Sequence, residues 1–140
     1  MNIINITKHS INLDLTDELS LVITNISNCC ENIMNDLGND LSESIYHRAL
    51  EVELRQNSYN YNSEVIIPIK YKGNPVGTVR PDIILDNKYI LELKSVSGGL
   101  KNKEIQQLKV YLRHTEYNYG FLINFRSSDS DKVEILMISK

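Results

Sequence analysis

An α/β domain, with helices packed around a mixed central sheet, is what the hydrophobic pattern of these 140 residues predicts. Three observations carry that prediction. Apolar residues recur at helical spacing over the first third of the chain. The period then shortens to that of strands between about Glu64 and Ser95. A third helical stretch and two more strand-like runs follow, which gives the order α-α-β-β-β-α-β-β. Three meandering strands, then a helix and a further strand, close into a mixed sheet.

Residues 1–13 are rich in Asn and Ile and read as a loose arm or an edge strand. From Thr16 the pattern is helical, with Leu19, Val22, Ile23, Ile26, Cys30, Ile33 and Leu37 on one stripe. Thr16 is placed to cap that helix, Asp17 and Glu18 suit its first turn, and Gly38 ends it. A second helix is expected from about Leu41 to Gln56, with Leu41, Ile45, Ala49 and Val52 on one face. Strands are expected over Glu64–Tyr71, Val76–Leu85 and Tyr89–Ser95, with turns at Gly73-Asn74-Pro75 and Asp86-Asn87-Lys88. Ser97-Gly98-Gly99 breaks the chain before a third helix, Lys101 to His114, whose Ile105, Leu108 and Leu112 point inward. Tyr119–Phe125 reads as a buried strand and Lys132–Ile138 as the last one.

The bulk numbers bound the function. The length suits one domain over residues 1–140, and 41% apolar with 24% charged residues is ordinary for a globular protein. No apolar run approaches the roughly 18–20 residues of a membrane span, and no signal peptide is evident. The expectation is an intracellular protein with no membrane partner: cytoplasmic, or nuclear or viral-factory for a eukaryotic or viral source. Cys29 and Cys30 are adjacent, which excludes a disulfide framework and a cysteine zinc site and leaves two core fillers. The net charge of −3 gives no global attraction to nucleic acid, although a cation in an acidic site would offset it locally.

Chemistry concentrates between Pro81 and Lys94. Glu92 and Lys94 sit two residues apart, so on a strand they share a face with Ile90, while Tyr89, Leu91 and Leu93 make the other face apolar. Such a strand is central, and charge on a central strand calls for a reason. Asp82 precedes Glu92 by ten residues across a hairpin turn. Two carboxylates and an ammonium converging there would hold a divalent cation and activate water against a phosphodiester. The plain alternative is a salt-bridged polar face worth about 0–1 kcal/mol.

Glu43 follows Asp40 at capping-box spacing, and taken alone the cap is the simpler reading. A first-turn carboxylate reaching over the sheet towards Asp82 and Glu92 is compatible with it. Tyr46, one turn on, would support Glu43 or fill the core. Gln107, with Tyr111 at i+4, reads as a solvated helix face or as a polar group leaning over the sheet. His9, His47 and His114 lack metal-ligand spacing, and no phosphate loop or nucleophile elbow occurs. Lys101, Lys103, Lys109 and Arg113 surround the third helix as a solvated face or a phosphate contact.

Pro81-Asp82 followed by Glu92-Leu93-Lys94 resembles the PD-(D/E)xK nuclease superfamily, and more closely its small GxxExxR proteins. Leu37-Gly38, Leu41 to Tyr46 and Ala49-Leu50 resemble the first motif region; Tyr71-Lys72-Gly73, Gly77, Arg80 and Asp82 the central hairpin; Gln107-Leu108, Tyr111-Leu112 and Leu122 to Phe125 the later helix and strand. Asp40 stands where that family has a glycine, and Tyr46 where it has an arginine. The resemblance implies a restriction-endonuclease-like αβββαβ core with an extra N-terminal helix. It implies that Asp82, Glu92 and Glu43 bind Mg2+ or Mn2+, with the Leu93 carbonyl as a further ligand. Lys94 would be the catalytic lysine and Gln107 an auxiliary residue. The expected activity is metal-dependent hydrolysis of nucleic acid, with DNA the favoured class and a homodimer supplying surface to grip it. The competing expectation is a silent module on the same fold that binds nucleic acid or a protein partner.

Overall fold

The computed structural model describes residues 1–6, 16–125 and 132–140. Along them run β1 (Asn2–Asn5), α1 (Asp17–Leu37), α2 (Glu43–Gln56), β2 (Tyr61–Ser63), β3 (Ile67–Tyr71), β4 (Asn74–Val79), β5 (Ile83–Leu85), β6 (Tyr89–Lys94), α3 (Asn102–Arg113), β7 (Tyr119–Asn124) and β8 (Glu134–Ser139). Among the described residues a six-stranded sheet has the order β1-β8-β7-β6-β5-β2, and β3 and β4 form a separate two-stranded hairpin. β6 and β7 run parallel and the remaining pairs antiparallel, so the sheet is mixed as expected. The core order α2-β2-β5-β6-α3-β7 is αβββαβ, with α1 as the extra N-terminal helix and β3–β4 inserted between β2 and β5.

Local chemistry explains the helices. Thr16 Oγ1 accepts the Leu19 N–H at 3.2 Å, and Gly38 ends α1 with a φ of 69°. The buried stripe of α1 packs with Tyr46, Leu50 and Leu54 of α2 on Leu91, Leu93, Phe121 and Ile123 of the sheet. Leu108 and Leu112 of α3 cover the opposite face with Ile84, Ile90 and Leu122. β6 is therefore covered on both sides, and its alternation decides which helix each side chain meets. Cys29 and Cys30 are free and buried in the first layer, and burial pushes the Cys29 thiol up to about 11. Among the described residues no helix is long and apolar enough to cross a membrane.

The structure decides between two readings at the N-terminus and corrects two further expectations. Residues 2–5, expected as a loose arm or an edge strand, form the edge strand, with Ile3 opposite Ile138, and Ile6 is buried; residues 7–13 lie outside the described residues. The capping box at Asp40 and Glu43 does not form. Asp40 has a φ of 70°, whereas the N-cap position needs extended backbone, and Ser42 takes that position instead at φ −72° and ψ 155°, without a side-chain capping bond. Glu43 is thereby the first helical residue. That left-handed φ also explains Asp40 in the place of a glycine, since aspartate tolerates a conformation glycine adopts freely. Finally, the strand expected over Glu64–Tyr71 starts only at Ile67, with β2 lying before it at Tyr61–Ser63, and the strand expected over Val76–Leu85 breaks in two. Pro81 has no N–H for a ladder and disfavours regular backbone at Arg80, so β4 stops at Val79 and β5 starts at Ile83.

Candidate active site

β5 and β6 pair from Leu85 opposite Tyr89 to Ile83 opposite Leu91, and then the two strands part. Asp82 fills the gap. Its Oδ2 accepts the Leu93 N–H at 2.8 Å, and its own N–H donates to Glu92 Oε1 at 2.8 Å. Each carboxylate is thus fixed by one main-chain bond to the other's segment and keeps a second oxygen for another partner. On a strand the N–H and carbonyl of one residue address the same edge, so the Leu93 carbonyl faces this opening. The Lys94 carbonyl faces the other way, accepting the Phe125 N–H at 3.0 Å.

Glu92 is only 3% exposed. Burial, reinforced by the charge of Asp82, pushes its pKa up to about 8. Burial also raises Asp82, against the Leu93 hydrogen bond and the charges of His47 and Lys94. Glu43 sits at the exposed rim on the first turn of α2, raised by partial burial against the charge of Lys94, with Asp82 adding a smaller push upward. Burial is the leading cause at all three carboxylates. An all-oxygen donor set that resists full ionisation fits a hard divalent cation such as Mg2+ or Mn2+. Among the described residues no group of three or more His, Cys, Asp or Glu is gathered closely enough to hold a metal. Asp82 and Glu92 form a pair, and Glu43 acts on them across space.

Lys94 donates from Nζ to Gln107 Oε1 at 2.8 Å, and Gln107 Nε2 donates to Tyr111 Oη at 3.2 Å. The exposed Gln107 therefore leans over the sheet and is more than a solvated face. α3 can lie this close because β7 carries Gly120, where an added Cβ would stand 2.8 Å from Leu108 Cδ1. On the other side, Ser95 Oγ donates to the Leu41 carbonyl at 2.9 Å, tying the end of β6 to the lead-in of α2 and so to Glu43. The Asn124 side chain brackets Val96, accepting its N–H at 3.0 Å and donating to its carbonyl at 3.1 Å.

Tyr46 does not support Glu43. It is wholly buried, stacks on Phe125 at 4.5 Å, and its hydroxyl donates to the Gly38 carbonyl at 2.6 Å and accepts the Leu41 N–H at 3.3 Å. Three residues join the site that sequence reasoning left out of it. Tyr111 is raised by burial and then by Glu92, with Arg80 opposing. His47 is felt by both Glu43 and Asp82. The signals were present as i+4 spacings, Gln107 to Tyr111 and Glu43 to His47. Arg80 stands beside the Pro81 break. The whole arrangement can hold a hard cation at Asp82 and Glu92 and present an ammonium beside it.

A family model described as the PD-(D/E)XK nuclease superfamily matches residues 20–136. A solved structure with a similar fold is an alkaline exonuclease (LHK-Exo) from Laribacter hongkongensis. The similarity has a TM-score of 0.52 at 12% identity and covers 90% of this chain and 72% of that one. No curated protein matches the chain. Neither comparison singles out the small GxxExxR proteins.

Proposed function

This chain belongs to the PD-(D/E)XK nuclease superfamily, and from that premise we propose that it hydrolyses phosphodiester bonds in DNA with Mg2+ or Mn2+. The observation that carries the proposal is the exchange of backbone bonds between Asp82 and Glu92 at the parting of β5 and β6, with Lys94 on the same face as Glu92. In this reading Asp82, Glu92 and the Leu93 carbonyl hold the cation, and Glu43 contributes through water or helps hold a second ion. When bound, the cation lowers the pKa of water and offsets charge on the phosphoryl group.

The chain's own residues do the rest. Backbone N–H groups fix both carboxylates before substrate arrives. Gln107 takes one of the three Lys94 donors, which aims the ammonium and leaves two donors for the attacking water or a non-bridging phosphate oxygen. Water adds to phosphorus, one P–O ester bond breaks, and the products are a phosphate monoester and a free hydroxyl.

A cleavage panel tests this on single- and double-stranded DNA and RNA with Mg2+, Mn2+ or EDTA. The wild type should cut DNA with either metal and not in EDTA. Asp82→Ala, Glu92→Ala and Lys94→Ala should each lose at least two orders of magnitude, in line with removing a positioned electrostatic group. Unchanged cleavage in both carboxylate variants would end the assignment. No cleavage by the wild type on any substrate would favour the silent binding module.

A further inference from the structure

The β3–β4 hairpin is not needed to close the core. From Lys70 to Thr78 every residue is exposed, and Ile66, Tyr71 and Val76 are each more than 60% exposed. Isolated two-stranded ribbons are marginal in water, so a bare one of this length calls for an occupant. Its charge is just as distinct. Between Val65 and Pro81 there is no Asp or Glu, and Lys70, Lys72 and Arg80 give the segment +3. With a chain net charge of −3, the remainder carries −6.

The ribbon is anchored at the site. Ser63 pairs with Ile83, and the Glu64 N–H donates to the Asp82 carbonyl at 2.9 Å, so both stems meet at Asp82. Val65 packs into the cluster under α3, and buried Val79 lies opposite Ile67. That is the sheet face carrying Glu92 and Lys94. The tip is a two-residue turn, with Lys72 at φ 50° and Gly73 at φ 79°, and the Lys72 ammonium lies over the Tyr71 ring at 5.5 Å.

We infer that the β3–β4 hairpin is an arm that enters the major groove of B-form DNA beside the Asp82–Glu92 site, with Lys70, Lys72 and Arg80 on the flanking phosphates. The inference rests on the nuclease reading of that site and adds the form of substrate it takes. A major groove about 12 Å wide admits a two-stranded ribbon, whereas the A-form groove of RNA is too narrow and deep. Val76 and Tyr71 at the tip offer apolar contact to base edges, which phosphate binding alone would not use. At about 3.3 Å per residue, the seven residues from Val79 back to Gly73 span roughly 20 Å, over half a helical turn of duplex.

The test measures binding of labelled DNA and RNA duplexes of one sequence in EDTA, between about 50 and 200 mM salt. Proteins compared are the wild type, Lys70→Glu/Lys72→Glu and Lys70→Arg/Lys72→Arg, with sedimentation and thermal melts alongside. Charge reversal should weaken DNA binding at least tenfold and lower the log–log salt slope by about 2, one for each lost phosphate contact. The arginine pair should stay within about twofold of the wild type, and RNA should bind the wild type more weakly than DNA. Should the reversed protein not fold, Lys70→Gln/Lys72→Gln is read in its place. Unchanged DNA binding by the reversed protein, while the wild type cuts with Mg2+, overturns the arm and leaves the nuclease reading standing. Equal binding of RNA overturns the groove, and a wild-type dimer that the reversal dissociates makes the hairpin a self-association surface instead. A wild type that neither binds nor cuts nucleic acid overturns both readings.

Discussion

A carboxylate 3% exposed on a strand covered from both sides is unfavourable when ionised, and Glu92 is such a group. Its folded pKa of about 8 lies above the ordinary 4.5, so between those values the folded state holds a proton that the unfolded state has released. The sign follows: this contribution to stability is complete below about 4.5 and is lost as pH rises through about 8. Metal-free wild type should therefore melt at lower temperature at about pH 9 than at about pH 5, and Glu92→Gln should decline markedly less. Thermal melts by circular dichroism check this, and equal declines would contradict the buried-carboxylate account. At this scale Asp82, Glu92 and Lys94 were legible because charge on an otherwise apolar strand stands out. The bond from Lys94 to Gln107 was not, because thirteen residues separate them and only the return of α3 over the sheet joins them. Asp40 misled for a local reason: capping-box spacing says nothing of a left-handed φ.

At the scale of elements, α1 was readable almost to the residue, from the Thr16 cap to the Gly38 stop, since its stripe is long and its ends carry their own signals. The strands were harder. Arg80-Pro81 was a visible break within the run from Val76 to Leu85, but alternating apolar residues on either side masked it. That break lets β5 part from β6 and opens the edge where Asp82 and Leu93 meet. The seat of α3 depends on Gly120. A methyl group there would press on buried Leu108, whose Cγ would stand 3.0 Å away. Gly120→Ala should cost about 1–3 kcal/mol by overpacking. Urea unfolding measures it, and no change in midpoint would show that α3 has room to retreat.

For the whole molecule, the mixed α/β class follows from the switches in hydrophobic period, the αβββαβ core order was what the resemblance implied, and the comparisons agree on the fold. The β3–β4 insertion was not foreseen, because a strand pattern does not state which sheet a strand joins. One measurement bears most directly on the claim that Asp82 and Glu92 make a divalent-metal site. Mn2+ titrated into the protein is followed by the loss of its free-ion electron paramagnetic resonance signal. The account predicts stoichiometric uptake by the wild type and none by Asp82→Asn/Glu92→Gln when both proteins are folded. No uptake by the wild type, or equal uptake by the double variant, would contradict it.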